Sequence, residues 1–117
     1  MLLEFSHPDR CIVGTVGEPG KRLFIIQVAQ GNSLASVAVE KEQVQVLARR
    51  ITAILEQLED LGHISVSGMR VQDRGPLDVP IDIEFRAGAI GLAWDGQRQS
   101  VQLELFSMGL GEGEDDD

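Results

Sequence analysis

The residues best equipped for chemistry fall into four groups. The first is Gly14-Thr15-Val16-Gly17-Glu18-Pro19-Gly20-Lys21, whose glycines and lysine have the composition of a phosphate-cradling loop. Such a loop needs a glycine where Thr15 stands, and Ser or Thr where Arg22 follows the lysine. The segment therefore reads as a turn. The second group is Asp78, Asp82 and Glu84. Hard divalent cations want several converging oxygens, and Asp82 and Glu84 share one face of an extended segment. Carboxylates on the outer side of a strand need no ligand, however, and no metal is expected. The third is Cys11, a thiol nucleophile if His7 or His63 served as its base. Neither histidine has a ligand-like spacing to the other or to Cys11. The apolar run around Cys11 fits an inert core thiol better. The fourth is Arg10, Lys21, Arg22, Arg86 and Arg98, which flank the ends of two expected hairpins. In one sheet they would make a basic rim for an anionic ligand or a partner's acidic tail. As solvated strand-end charges they need no role. No catalytic constellation emerges, so no catalytic residue, cofactor or metal is assigned and a non-enzymatic chain is expected.

The elements that must position these groups follow from periodicity and turn chemistry. Leu3 and Phe5 alternate with Leu2 and Glu4 as a short first strand, which His7-Pro8-Asp9 ends. Cys11 to Gly17 is a second strand. Glu18-Pro19-Gly20-Lys21 is a turn in which proline presets φ and Gly20 supplies the positive φ of a type II geometry. Leu23 to Ala29 is a strand with Phe24, Ile26 and Val28 on one face. After the turn at Gln30-Gly31-Asn32-Ser33, Leu34 to Val39 is the next. A long helix then starts at about Glu40. Val44, Leu47, Ile51, Ile54, Leu58 and Leu61 recur at three- and four-residue steps and form one stripe, which Ala48 and Leu55 widen toward a sheet-packing face. Gly62 is a stop signal. A short strand is expected within residues 63–71 and a connector from Gln72 to Pro80. Ile81 to Trp94 reads as extended, Asp95-Gly96 as a hairpin turn, and Val101, Leu103 and Leu105 as the apolar side of a half-buried strand.

Composition narrows the class. The chain has 117 residues, enough for one domain with a modest core, and its 43% hydrophobic content fits a globular protein. No apolar stretch is long enough to span a membrane, and Met1-Leu2-Leu3-Glu4-Phe5 lacks the basic and apolar regions of a secretory signal. The single cysteine forms no internal disulfide, so a cytoplasmic setting is expected. Net charge is -9, and five of the acidic residues lie between Glu112 and Asp117. Residues 109–117 are expected to be a flexible acidic tail on a single domain of residues 1–108. The basic residues are scattered, unlike the clustered footprint of nucleic-acid binders.

The first hairpin has an echo. At an offset of 77 residues, Val13-Gly14 falls on Ile90-Gly91, and Phe24, Ile26 and Val28 fall on Val101, Leu103 and Leu105. That implies a repeated unit whose second copy is incomplete. The run from Pro8 to Phe24, the helix start Val39-Glu40-Lys41-Glu42-Gln43-Val44, and the stretches Asp78-Val79-Pro80-Ile81, Phe85-Arg86-Ala87-Gly88 and Leu92-Ala93-Trp94-Asp95 carry a resemblance. They resemble an uncharacterised, mainly actinobacterial family catalogued as domain of unknown function three thousand and ninety. The resemblance covers most of residues 5–106 and implies no activity and no catalytic residue. It also implies that other members continue past an acidic stretch into a cysteine-rich segment, which this sequence lacks.

The expected fold is α+β: an antiparallel sheet built from ββββα followed by a partial second unit (βββ), with one long helix packed on it. The expected function is a non-enzymatic binding or assembly module. It would be completed by self-association as a homodimer or by a protein partner, with Val101, Leu103 and Leu105 at the interface. The alternative is a single-stranded nucleic-acid binder, since the strand order resembles the sheet-helix units of Whirly and PUR proteins. Against it stand the acidic charge, the absence of tyrosine and an aromatic content of 4%, because such binders stack bases on aromatic side chains.

Overall fold

The computed structural model of the chain describes residues 4–62 and 75–107. Strands and helix follow in the order β1 (Arg10–Val16), β2 (Leu23–Gln30), β3 (Ser33–Val39), α1 (Lys41–Asp60), β4 (Ile83–Asp95) and β5 (Ser100–Ser107). The strands form one sheet in that same order. β1–β2, β2–β3 and β4–β5 pair antiparallel, whereas β3–β4 pairs parallel. The fold is therefore α+β with a mixed five-stranded sheet. Its parallel pair was not anticipated. Antiparallel strands can be joined by a tight turn, but a helix between two neighbours carries the chain back across the sheet and lets the second run parallel to the first.

β2 and β3 form the centre of the molecule. Ile25 and Ile26 point to opposite faces of β2 and are 0% and 1% exposed. Burial on both faces explains why these strands are nearly continuous apolar runs rather than strict alternations. On the helix side Ile26, Val37, Val39, Leu47 and Ala87 form the core, with Phe24, Val44, Ile51 and Phe85 packed against it. The expected helical stripe is there: Leu47 and Leu58 are buried, and Val44, Ile51, Ile54 and Leu55 are half-buried. Ala48 and Leu61 are exposed, contrary to expectation. Ala48 stands roughly 100° around the helix from Leu47, and Leu61 is already the C-terminal cap.

Local signals set most boundaries. Glu40 caps α1 through a reciprocal capping box with Gln43, which satisfies donors that a helix N-terminus otherwise leaves bare. At the β1–β2 turn Gly20 has φ +87°, and the Lys21 N–H donates to the Glu18 carbonyl at 2.8 Å. That is the expected type II turn. The β4–β5 connection differs from the expected Asp95-Gly96 turn. It spans residues 96–99, because the Asp95 carboxylate accepts the N–H groups of Gln97 and Arg98 at 3.0 and 3.2 Å. The positive φ falls on Gln99 instead of Gly96.

Two further expectations change. Glu4 and Phe5 are not in a strand. The segment after them is tied to the β2–β3 turn: the His7 N–H donates to Gln30 Oε1, and Asp9 Oδ2 accepts the Gly31 N–H. The overlay of the two hairpins also breaks. Val13 pairs with Ile26, but Ile90 pairs with Leu105 rather than Leu103. Leu3, the strand expected within residues 63–71 and the acidic tail lie outside the described residues. No helix among the described residues is long and apolar enough to cross a membrane.

Candidate functional site

The β4–β5 hairpin extends past the rest of the sheet. β4 pairs with β3 only through Ile83, Phe85 and Arg86, and with β5 from Ala87 to Asp95. A register shift between Ala87 and Ile90 marks the change of partner. Beyond it Ile90, Leu92 and Trp94 lie opposite Leu105, Leu103 and Val101. All six are half-buried. Ile90, Leu92, Leu103 and Leu105 pack against the helix-side core, whereas Trp94 and Val101 are not part of it. The three residues expected at an interface, Val101, Leu103 and Leu105, thus share one partly covered apolar face. Phe106, on the opposite face, is 52% exposed. β5 is one edge of the sheet and β1 the other.

A cleft of about 210 Å³ separates this hairpin from the helix. Val46, Leu47 and Arg50 line it from α1, and Gly88, Ile90 and Leu92 line it from β4. Gln43 closes one end. Its Oε1 accepts the Glu40 N–H at 2.7 Å, and its Nε2 donates to the Gly88 and Ala87 carbonyls at 2.7 and 3.3 Å. Those carbonyls belong to the irregular stretch of β4, where regular pairing breaks down. One amide therefore caps the helix and holds the hairpin to it. The spacing of Glu40 and Gln43 is a capping-box signal readable from the sequence. Nothing local indicated the contact across more than forty residues to Gly88.

The other face of the sheet is covered by a strap, residues 75–80. Gln27, 2% exposed, donates to Ser36 Oγ and to the Asp78 carbonyl, both at 3.0 Å, and accepts the Asp78 N–H at 2.7 Å. A buried amide needs such partners, and a lone glutamine inside the run Leu23–Ala29 was a readable hint that something polar meets it. Leu77 sits over Gly14, where an added Cβ would lie 2.7 Å from the Leu77 Cγ. Glycine in β1 thus makes room for the strap.

The five basic residues are spread over the molecule. Arg10 begins β1 and Lys21 and Arg22 lie in the turn beyond its far end, so the strand separates them. Arg10 is 3.0 Å from Asp78 and donates to the Pro76 carbonyl at 2.8 Å. Arg86 pairs with Glu40 at 3.3 Å and Arg98 with Asp95 at 3.8 Å. Only Lys21 and Arg22 are brought together. Asp78, Asp82 and Glu84 do not converge, and among the described residues no group of His, Cys, Asp and Glu is placed to hold a metal ion. Cys11 is exposed rather than part of the core, because it faces the helix side of an edge strand that α1 does not cover. The surrounding protein still desolvates the thiol and pushes its pKa up, away from the reactive thiolate.

The model of a family described as "Protein of unknown function (DUF3090)" matches residues 3–117. No curated protein and no solved structure matches the chain.

Proposed function

This chain belongs to the DUF3090 family, and from that premise we propose that it is a non-enzymatic binding or assembly module, completed at its β4–β5 hairpin by a second copy or a protein partner. The observation that carries the proposal is the half-covered apolar face formed by Ile90, Leu92, Trp94, Val101, Leu103 and Leu105. Contiguous apolar surface of this kind marks interaction sites more often than idle surface. Among the described residues β5 is an edge strand paired on one side only, and it carries one charged residue, Glu104, and no proline. Edges that avoid pairing usually carry more protection than that. A cytoplasmic setting accompanies this reading, supported by the single cysteine.

The nucleic-acid alternative has less support. Of the five strand-end cations, Arg10, Arg86 and Arg98 are each matched by a carboxylate, and Lys21 and Arg22 at the β1–β2 turn make too small a patch to track a phosphate backbone.

Light scattering on the purified chain at micromolar concentration tests the proposal, with a homodimer as the expected result. Val101→Asp, on the same face but outside the helix-side core, should shift the population to monomer while the circular dichroism spectrum keeps its helical signal. A dimer that is indifferent to Val101→Asp would remove the hairpin from the interface.

A further inference from the structure

Trp94 is the chain's only tryptophan, and it is half-buried at the outer end of the hairpin face. Among the described residues its indole N–H has no hydrogen-bond acceptor, and its Nε1 lies 3.7 Å from where a Cβ on Gly96 would stand, beside the hairpin turn. Buried indole N–H groups usually find one, which is why tryptophan is common where one surface meets another. On the same side of the sheet lies the cleft between α1 and β4. At about 210 Å³ it falls below the roughly 300–1,000 Å³ of ordinary small-molecule pockets. It is the right scale for one large side chain. Its walls are apolar, through Val46, Leu47, Ile90 and Leu92. Its one charge is Arg50, an exposed residue with no ion pair or hydrogen bond among the described residues.

These features complement one another. A guanidinium attracts the face of an indole, tryptophan being the strongest aromatic partner. The ring and the cleft are on the same side of the sheet. A two-fold axis parallel to the sheet, and displaced above its helix-side face, would therefore turn each copy's ring toward the other's cleft. Both clefts would fill at once, as an isologous contact requires. Phe106 does not meet this condition. It projects from the opposite face, and a symmetric pair could not seat it in a cleft that opens the other way.

We propose that the cleft between α1 and β4 is a receptor for Trp94 of a second copy, with Arg50 over the indole face. The inference rests on the self-association reading above and specifies which groups make the contact. Tryptophan and arginine dominate interface energetics when they are enclosed. Trp94→Ala should weaken the dimer about 30-fold or more, and Arg50→Ala by about 3- to 30-fold.

The chain lacks tyrosine and has one tryptophan, so its emission reports on Trp94. The full-length protein is diluted through the dimer–monomer transition while light scattering and tryptophan emission are recorded together. The expected result is a shift of emission to longer wavelength as the dimer dissociates, with both transitions at the same concentration. In Arg50→Ala both should move together to higher concentration, with an unchanged melting temperature for the monomer. A dimer whose emission stays constant on dilution overturns this inference and leaves the assembly reading standing. Emission that shifts identically in wild type and Arg50→Ala overturns the role of Arg50. A chain that is monomeric at every concentration overturns both the inference and the self-association on which it rests.

Discussion

Replacing Gln43 by glutamate isolates the link between helix and hairpin. The glutamate keeps an oxygen for the Glu40 N–H, so the capping box survives, and a carboxylate in the first turn gains about 0.3–1 kcal/mol from the helix dipole. The amide donor is lost. The 2.7 Å bond to the Gly88 carbonyl has a net value of about 0.5–1.5 kcal/mol. The 3.3 Å bond to Ala87 adds little. More serious is the carboxylate now facing two part-buried carbonyl oxygens, since leaving such a group unsatisfied costs about 1–3 kcal/mol. The balance is a net loss of about 1–3 kcal/mol, against the gain that helix electrostatics alone would give. Gln43→Leu should lose the bonds to β4 and the cap together, the cap contributing about 0.5–2 kcal/mol. Urea denaturation followed by circular dichroism measures both variants, and an unchanged slope with denaturant shows that the folded state is comparable. A Gln43→Glu protein as stable as wild type, or more so, would refute the reasoning. It would mean that Gln43 acts on the helix alone.

Leu47→Ala, at a buried core position, should cost about 2–5 kcal/mol, and the half-buried Ile51→Ala less, both read by the same denaturation. Gly14→Val should destabilise the fold by about 1–3 kcal/mol and speed hydrogen exchange at the Asp78 amide, since the new side chain displaces Leu77. Unchanged exchange there would count against the strap's seat on β1. Gly20→Val should lower the melting temperature, because a branched side chain at φ +87° is strained by roughly 1–3 kcal/mol. Cys11 should be accessible to alkylating reagent yet react slowly near neutral pH. Its raised pKa places the rise in rate at higher pH than for a free thiol, and a rate profile matching the free thiol would contradict that shift.

The sequence by itself determined what depends on neighbours along the chain. The 3.6-residue period marked α1 and its stripe, because apolar spacing alone decides which side of a helix can be buried. Pro19-Gly20 set its turn, since proline and glycine restrict φ locally whatever surrounds them. The family resemblance was legible in contiguous runs for the same reason. Tertiary structure decided everything that joins distant segments. The parallel pairing of β3 and β4, the register that broke the overlay of the hairpins and the exposure of Cys11 all depend on which strand lies beside which. Hydrophobic pattern carries no strand direction. The strap held by Gln27, the cleft under Gln43 and the approach of Arg50 to β4 are likewise contacts between parts of the chain remote in sequence. A side chain's type announces that it needs a partner, but only the packed fold selects which one.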